Sequence, residues 1–318
     1  MSKRMWRKNG EIISVKNRKG YFDVMYGSQS ISQSLDIFLP EGQGPFPVII
    51  SIHGGGYIAC DKRQSEMITP MLEGLKKGYA VVGLNYRLSG ETSFPEPVRD
   101  IKQAIRFLKA NATSFQLDEN KVVCWGGSAG GYMSVMASLF EHDKYYDNEQ
   151  DPNIHVSAKI QGAIGWYPQT DMLSTEEELK INSIINHNLS VGCDDVSEEY
   201  EPAFPIMEEY EFPFHESKGG VLEMFLGVPL LSGDERIKKA SPIYNIHKDI
   251  PPMFIQHGSK DEILPMQQSI RFAIKANELI KEERITLEIL PGAIHSSVLF
   301  ETKENLEKVF EFIHRILK

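Results

Sequence analysis

Cysteine is scarce in this sequence, with only Cys60, Cys124 and Cys193 among 318 residues. Three thiols at such spacing are too few for a disulfide framework and too scattered for a zinc site. We therefore expect a reduced, cytoplasmic protein with no metal site.

Positive charge is in deficit as well. The chain carries 34 Lys and Arg against 44 Asp and Glu, a formal net charge of −10, and its pI is about 5.5. A surface of this sign repels phosphate backbones and anionic lipid headgroups. The charge balance thus indicates that neither nucleic acid nor an anionic membrane is a main partner.

Long hydrophobic runs are also missing. No segment approaches the roughly 18 apolar residues that a membrane-spanning helix requires. Residues 1–17 are basic, but no apolar stretch of a signal peptide follows them. With 41% hydrophobic and 25% charged residues, the composition is that of a soluble globular protein with ample material for a core.

Seven short apolar runs alternate with longer amphipathic patterns. The runs are SLDIFLP, FPVIISIHGGG, YAVVGLNYRL, KVVCWGG, AKIQGAIGWYP, PPMFIQHG and ITLEILPG. Near-continuous apolarity is typical of strands covered on both faces, and the intervening segments space apolar residues three and four apart, as helices do. The sequence predicts an α/β fold: a doubly wound, mostly parallel sheet with helices on both faces, in a single domain of residues 1–318.

This alternation stops between about residues 168 and 240. The segment is acidic, mixes helical pieces with Pro and Phe, and contains no convincing strand. Insertions of this length in a compact sheet are usually functional. We expect an inserted cap or lid; a plain surface excursion is the alternative.

The stretch KVVCWGGSAGGYMSVMASLF, residues 121–140, places Ser128 between a strand and a helix. Its GGSAG matches G-x-S-x-G, the nucleophile elbow, in which the serine stands on a strained turn between glycines. The N–H groups that open the helix favour a developing negative charge. A phosphate loop is the alternative, but no lysine follows as in a Walker loop, and the dinucleotide spacing fits only loosely.

A glycine loop, His53-Gly54-Gly55-Gly56, ends the strand FPVIISI upstream of the elbow. Consecutive glycines can aim backbone N–H groups at one point without obstruction by side chains. We expect the amides of Gly54, Gly55 and Ala129 to form an oxyanion hole, with His53 bracing the loop. A flexible turn is the alternative.

An acid and a base are expected after later strands, on the same sheet edge as the serine. Asp261 follows PPMFIQHG, with Glu262 beside it as the alternative acid, and His295 lies between the last strand and the C-terminal helix. The other eight histidines fall in helices, connectors or strand ends. The order Ser128, Asp261, His295 is that of α/β-hydrolases.

Taken together, HGGGY, NYRLSGETSFPEPVRDIKQAIRFL, GGSAGG, ASPIYNI, PPMFIQHGSKDEILP and GAIH resemble the α/β-hydrolase esterases, in particular the BD-FAE-like and hormone-sensitive-lipase-like carboxylesterases. The resemblance runs from about Ser34 to the C-terminus, except for most of residues 167–214. It implies the same triad and oxyanion hole, and a structural ion pair of Arg87 and Asp100. Gly127 departs from it, because the hormone-sensitive-lipase elbow usually has an acid there. This favours the BD-FAE-like side, whose members act on small acyl esters, often acetyl or feruloyl groups on sugars.

These features predict a serine carboxylester hydrolase that acts on a small-molecule ester through an acyl-enzyme, without metal or organic cofactor. Tyr57, Trp166 and Tyr167, with the aromatics of EFPF and MFLG, are candidates for the substrate pocket, although most could equally be core. A formamidase or other amide hydrolase would use the same triad, and a catalytically silent binding protein is a further alternative. The oligomeric state stays open, with a homodimer as one option.

Overall fold

Eight strands and nine α-helices make up the described part of the chain, residues 11–189 and 220–318 of the computed structural model, in which the side chains of residues 183–189 are not described. The strands are β1 Gly20–Met25, β2 Ser34–Phe38, β3 Phe46–Ile52, β4 Ala80–Leu84, β5 Leu117–Gly127, β6 Gly162–Trp166, β7 Met253–Gly258 and β8 Ile285–Leu290. The helices are α1 Ser65–Leu72, α2 Glu96–Ala110, α3 Ala112–Phe115, α4 Ala129–Ala137, α5 Thr175–Leu189, α6 Val221–Leu226, α7 Glu235–Ala240, α8 Gln267–Ile280 and α9 Lys303–Ile316. None of these helices combines the length and the apolarity that a bilayer crossing requires.

The strands form one sheet in the order β1-β2-β4-β3-β5-β6-β7-β8. β2 runs antiparallel to both of its neighbours, and every pairing from β4 to β8 is parallel. Parallel strands end at the same edge, so the loops that follow β3, β5, β6, β7 and β8 lie side by side there. The predicted mostly parallel sheet is confirmed, and each of the seven apolar runs contains one of its strands.

Alternate residues of the central strands serve two separate cores. Along β3, Val48 and Ile50 join the core under α2, α4 and α8, whereas Ile49 belongs to the opposite core under α1 and α9. In β5, Cys124 and Trp125 divide in the same way. Because helices cover both faces of the sheet, both sets of side chains are apolar, which explains the near-continuous apolar runs.

β1 is a strand that the apolar pattern does not predict. It lies at the sheet edge, its residues are exposed or half-buried, and its register with β2 breaks between Tyr21 and Val24. Within this break, Asp23 has a φ of 55° and its N–H donates to the Asp36 side chain. A bulged edge strand keeps neither a buried face nor a regular alternation, so its hydrophobic pattern is weak.

The segment predicted as a cap, residues 168–240, is helical where the structure describes it. α5 attaches to α8 through the buried Gln268, which donates to Glu178 and accepts from the backbone N–H of Thr170. α6, in contrast, buries four apolar side chains in the main core: Val221, Leu222, Phe225 and Leu226. The last part of this segment therefore packs as part of the sheet's own core. Residues 190–219, with Cys193 and the EFPF aromatics, lie outside the described residues, and the division into one domain with a cap stays a prediction.

A buried ion pair joins the segment after β4 to α2. Asp100 is fully buried and accepts from the Arg87 side chain at 2.8 and 2.9 Å and from its backbone N–H at 2.9 Å. Gln33 donates to the same carboxylate at 2.8 Å, and Glu96 binds Nη2 of Arg87 at 3.0 Å. These contacts agree with the structural pair that the family resemblance implies.

Asp100→Asn is expected to lower the free energy of unfolding by about 3 kcal/mol, because it leaves the Arg87 guanidinium without its buried counter-charge. The matched control is Glu73→Gln, which removes the partner of Lys76 from an exposed ion pair and should change stability by about 0–1 kcal/mol. Urea unfolding followed by circular dichroism measures both variants. Equal losses in the two would contradict the structural role of the buried pair.

Candidate active site

Ser128 stands at the sharp turn between β5 and α4, with φ 56° and ψ −125°. Positive φ is strained for a residue with a side chain. The turn is also crowded, since a Cβ on Gly126 would lie 2.5 Å from the Ile52 carbonyl oxygen and a Cβ on Gly130 only 2.0 Å from that atom. Only glycine fits at these two positions, so the turn depends on the glycines that define the motif.

Three side chains from three loops meet at this edge of the sheet. Ser128 Oγ lies 3.0 Å from His295 Nε2, and His295 Nδ1 lies 2.8 Å from Asp261 Oδ2. Ser128 follows β5, Asp261 follows β7 and His295 follows β8. The three residues are at most 9% exposed, so water competes little for these contacts. The structure thus brings together the serine, the acid and the base that the sequence predicts.

Both oxygens of the Asp261 carboxylate are held. Oδ1 accepts the backbone N–H groups of Ile263 at 2.9 Å and Leu264 at 2.8 Å, while Oδ2 faces His295 Nδ1 and has His257 Nε2 at 3.4 Å. Burial alone would raise the pKa of this carboxyl. The charge and hydrogen bonds of His295 and His257 outweigh burial and hold the pKa well below its usual range.

The ionised Asp261 determines the tautomer of His295. A carboxylate only accepts hydrogen bonds, so His295 Nδ1 carries a proton and donates it, which leaves Nε2 to accept from the Ser128 hydroxyl. A base in this position can take the serine proton. The alternative acid, Glu262, is exposed, and it is Asp261 that contacts His295.

The glycine loop after β3 lies against the serine. A Cβ on Gly54 would be 3.4 Å from Ser128 Cβ and 2.9 Å from the Gly127 carbonyl oxygen, so a bare backbone is needed there. Gly55 has a φ of 96°, which side chains rarely allow. Ala129 is the first residue of α4, and its N–H therefore has no acceptor within the helix. Gly54 and Ala129 flank the serine, and Gly55 follows in the same loop.

His53 braces this loop from the core. Its Nδ1 donates to the Gly54 carbonyl oxygen at 2.9 Å, and its ring stacks on Tyr86 with centroids 4.5 Å apart. The Tyr86 hydroxyl also donates to the His53 carbonyl oxygen at 3.1 Å. Because a trans peptide places C=O and N–H on opposite sides, holding the Gly54 carbonyl also orients the Gly55 N–H.

The three aromatic residues predicted for the substrate pocket occupy different positions. Tyr57 is 2% exposed and stacks on Phe225 of α6 with centroids 4.0 Å apart. Trp166 is 3% exposed and its indole N–H donates within the core, so its contacts are explained without a substrate. The Tyr167 ring packs edge-on against His295, with centroids 4.7 Å apart, which makes it the aromatic candidate beside Ser128 and His295.

His257 belongs to this site, although the sequence indicated only a strand end. Its Nε2 donates to the Leu264 carbonyl oxygen at 2.8 Å, and its Nδ1 lies 2.7 Å from the Ser269 hydroxyl. It is fully buried and places a second imidazole beside Asp261. The available signal was its position four residues before the acid, at the end of the same strand.

Among the described residues, no cluster of three or more His, Cys, Asp or Glu side chains is arranged to hold a metal ion. The contacts among Ser128, His295 and Asp261 permit proton transfer and nucleophilic attack by Ser128, and backbone amides lie close by to bind an anion.

The sheet order, the serine after β5, the acid after β7 and the histidine after β8 define an α/β-hydrolase fold. Within that class, the chain belongs to the BD-FAE family, whose model matches residues 35–207 and 203–275.

Two proteins with similar sequences are named esterases. The chain is 25% identical over 285 residues to esterase LipQ of Mycobacterium tuberculosis, covering 88% of this chain and 58% of LipQ. It is 24% identical over 285 residues to esterase LipC of the same organism, covering 87% of this chain and 60% of LipC. The chain thus spans a little over half the length of these relatives.

Solved structures share the fold at low identity. A truncated carbohydrate esterase from gut microbiota matches with a TM-score of 0.76 at 20% identity, covering 96% of this chain and 99% of that one. The apo form of Thermogutta terrifontis esterase 2 matches with a TM-score of 0.67 at 20% identity, covering 96% of each chain.

Because the pKa of Asp261 is low, we expect the free energy of unfolding to fall at acid pH. In the unfolded chain the pKa of an Asp is about 3.9, above its value in the folded protein. The stabilisation from this carboxylate is therefore present above the unfolded pKa and lost as the pH falls through the folded one. The difference in unfolding free energy between wild type and Asp261→Asn should be largest near neutral pH and shrink below about pH 4.

Urea unfolding at several pH values measures this difference, with Glu262→Gln as the control for loss of a neighbouring exposed charge. A difference that stays constant or grows towards acid pH would show that Asp261 is not ionised in the folded protein.

Proposed function

We propose that this chain is a serine hydrolase that cleaves carboxylic esters. The observation that carries the proposal is the pair of contacts from Ser128 Oγ to His295 at 3.0 Å and from His295 to Asp261 at 2.8 Å. A serine hydroxyl is a weak nucleophile, and an adjacent oriented base activates it. Membership of the BD-FAE family and likeness to relatives named esterases support the same activity.

In the first half-reaction, Ser128 Oγ bonds to the ester carbonyl carbon while His295 Nε2 takes its proton. The carbonyl electron pair moves to oxygen, and the amides of Gly54, Gly55 and Ala129 bind the resulting oxyanion. One such donor is typically worth about 2.7–4 kcal/mol of barrier. The oxyanion then collapses, the bond to the alcohol oxygen breaks, and His295 gives its proton to the leaving alcohol.

In the second half-reaction, water replaces the alcohol. His295 takes a proton from the water, the oxygen attacks the acyl carbon, and the bond to Ser128 breaks as His295 returns the proton to Oγ. Asp261 stays ionised throughout and stabilises the imidazolium. Its low pKa suits this role, because a carboxyl that protonated readily would no longer stabilise the positive ring.

For the substrate we propose small acyl esters, including acetyl or feruloyl esters of sugars. The gut microbial protein whose structure this chain resembles is a carbohydrate esterase, which supports a sugar ester as the substrate. A formamidase or other amide hydrolase would use the same three side chains, and no contact among the described residues favours it. Rates on acetyl, butyryl and feruloyl esters, on acetylated sugars and on N-formylkynurenine rank these possibilities.

A non-catalytic binding protein of this fold is disfavoured, because such proteins commonly lack a triad member and here the serine, base and acid lie within hydrogen-bond distance. A cytoplasmic location, a homodimer and the lack of a nucleic-acid partner stay predictions from the sequence.

Ser128→Ala is expected to lower kcat on p-nitrophenyl acetate by at least about 10⁴-fold, because it removes the hydroxyl that forms the acyl-enzyme. The matched control is Ser138→Ala, a buried serine just after α4, which should keep activity close to wild type. Initial rates at saturating ester measure both. A Ser128→Ala variant that keeps most of its activity would overturn the proposal.

Asp261→Asn is expected to lower kcat by about 10⁴-fold. The amide oxygen would keep the N–H groups of Ile263 and Leu264, so the amide nitrogen would face His295 Nδ1. An N–H donor facing Nδ1 forces the imidazole proton onto Nε2, and a protonated Nε2 can no longer accept a hydrogen bond from Ser128. Glu262→Gln is the control and should retain wild-type rates; if it were the inactive variant and Asp261→Asn the active one, the acid would be Glu262.

A further inference from the structure

Gly127, the middle residue of the GGS elbow, has no conformational reason to be glycine. Its φ lies outside the left-handed region, and it pairs with Trp166 in regular parallel register. The space beside it is nevertheless closed. The three atoms nearest to a Cβ at this position all belong to the Tyr167 ring: Oη at 2.6 Å, Cζ at 2.9 Å and Cε2 at 3.1 Å.

Tyr167 is held firmly in that place. It directly follows β6, has a φ of 39°, and donates its backbone N–H to Gln256 at 2.7 Å. The residue is 7% exposed, and its ring packs edge-on against the rings of His295 and Phe300, each with a centroid 4.7 Å away. A movement of the phenol away from Gly127 would therefore disturb its packing against these two rings.

His295 needs such a neighbour. Its hydrogen bond to Asp261 fixes one ring nitrogen but leaves the imidazole able to tilt about that contact, which would move Nε2 away from Ser128. An aromatic ring packed against the imidazole blocks this tilt through van der Waals contact.

We propose that Gly127 and Tyr167 are a matched pair that positions His295. The missing side chain at Gly127 lets the Tyr167 ring lie over the elbow, and the ring keeps the imidazole directed at the serine. Tyr167 is in this sense a positioning residue, and the inference rests on the proposed roles of Ser128 and His295.

A double-mutant cycle tests the pair. The variants are Gly127→Ala, Tyr167→Ala, the two combined, and Gly127→Ala with Tyr167→Phe. Each is measured for kcat and KM on p-nitrophenyl acetate, with kcat expressed per reactive serine titrated by a fluorophosphonate probe. This normalisation removes losses caused by misfolded protein.

Gly127→Ala should lower kcat about 10- to 100-fold with little change in KM, because the added methyl pushes the phenol against His295. Tyr167→Ala should also lower kcat, by about tenfold, since the imidazole loses its neighbour. In the Tyr167→Ala background, adding Gly127→Ala should change kcat by less than about twofold. Tyr167→Phe should relieve the clash in part, because it removes the contact at 2.6 Å and keeps the one at 2.9 Å.

Gly131→Ala is the control substitution. Its Cβ would meet the backbone carbonyl oxygen of Trp166 at 2.6 Å, so its effect on kcat should be the same with and without the Tyr167 ring.

If Gly127→Ala alone fails to fold, recovery of folded, probe-reactive protein when it is combined with Tyr167→Ala supports the pair. If neither the single nor the combined variant folds, the inference is overturned.

A wild-type kcat in Gly127→Ala, or an undiminished penalty in the Tyr167→Ala background, would overturn the inference while the proposed function stands. A wild type that neither hydrolyses esters nor reacts with the probe would overturn the proposed function, and the positioning role with it.

Discussion

The close packing of Gly126 and Gly130 against the carbonyl oxygen of Ile52 is the steric constraint on which the rest of this site depends. This oxygen lies 2.5 Å from where a Cβ on Gly126 would be and 2.0 Å from where one on Gly130 would be, so β3, β5 and α4 meet with bare backbone between them. This packing requires the tight turn that gives Ser128 a φ of 56°. The turn lifts the hydroxyl from the sheet edge and starts a helix beside it, so one steric constraint places the Ser128 hydroxyl and the amide of Ala129 together. A looser turn would lose both, along with the contact to His295.

Besides their contacts with one another, the loops around the serine are anchored in the core. The glycine loop is attached through His53, and the segment that follows it is tied to β2 by buried charge, with Asp36 bound to Arg63 Nη2 at 2.8 Å and to Lys62 Nζ at 3.3 Å. The ring of Tyr57, next to the glycines, stacks on α6, which links residues 221–226 to the same loop. Groups fixed in this way need little reorganisation when charge develops, which is where most electrostatic catalysis originates.

Much of this could be predicted from the sequence, for physical reasons. Strands covered on both faces leave near-continuous apolar runs, and parallel strands carry Ser128, Asp261 and His295 to one edge. Seven strands and the meeting of these three side chains could therefore be predicted. β1 could not, because a bulged edge strand has no buried face. The contact of Gly127 with Tyr167 could not be predicted either, because it depends on the pairing of β5 with β6 and on a positive φ after β6. Neither of these has a signature in the local sequence. The packing of α6 in the core likewise depends on partners far away in the chain.

The nucleophilic role of Ser128 is tested most directly by reacting the folded protein with a fluorophosphonate probe and locating the adduct by peptide mass spectrometry. We expect one adduct per chain, on Ser128, formed rapidly in the wild type and far more slowly when Asp261 is replaced by Asn. An adduct on another residue, or no adduct on folded protein, would contradict the assignment of Ser128 as the residue that attacks the ester.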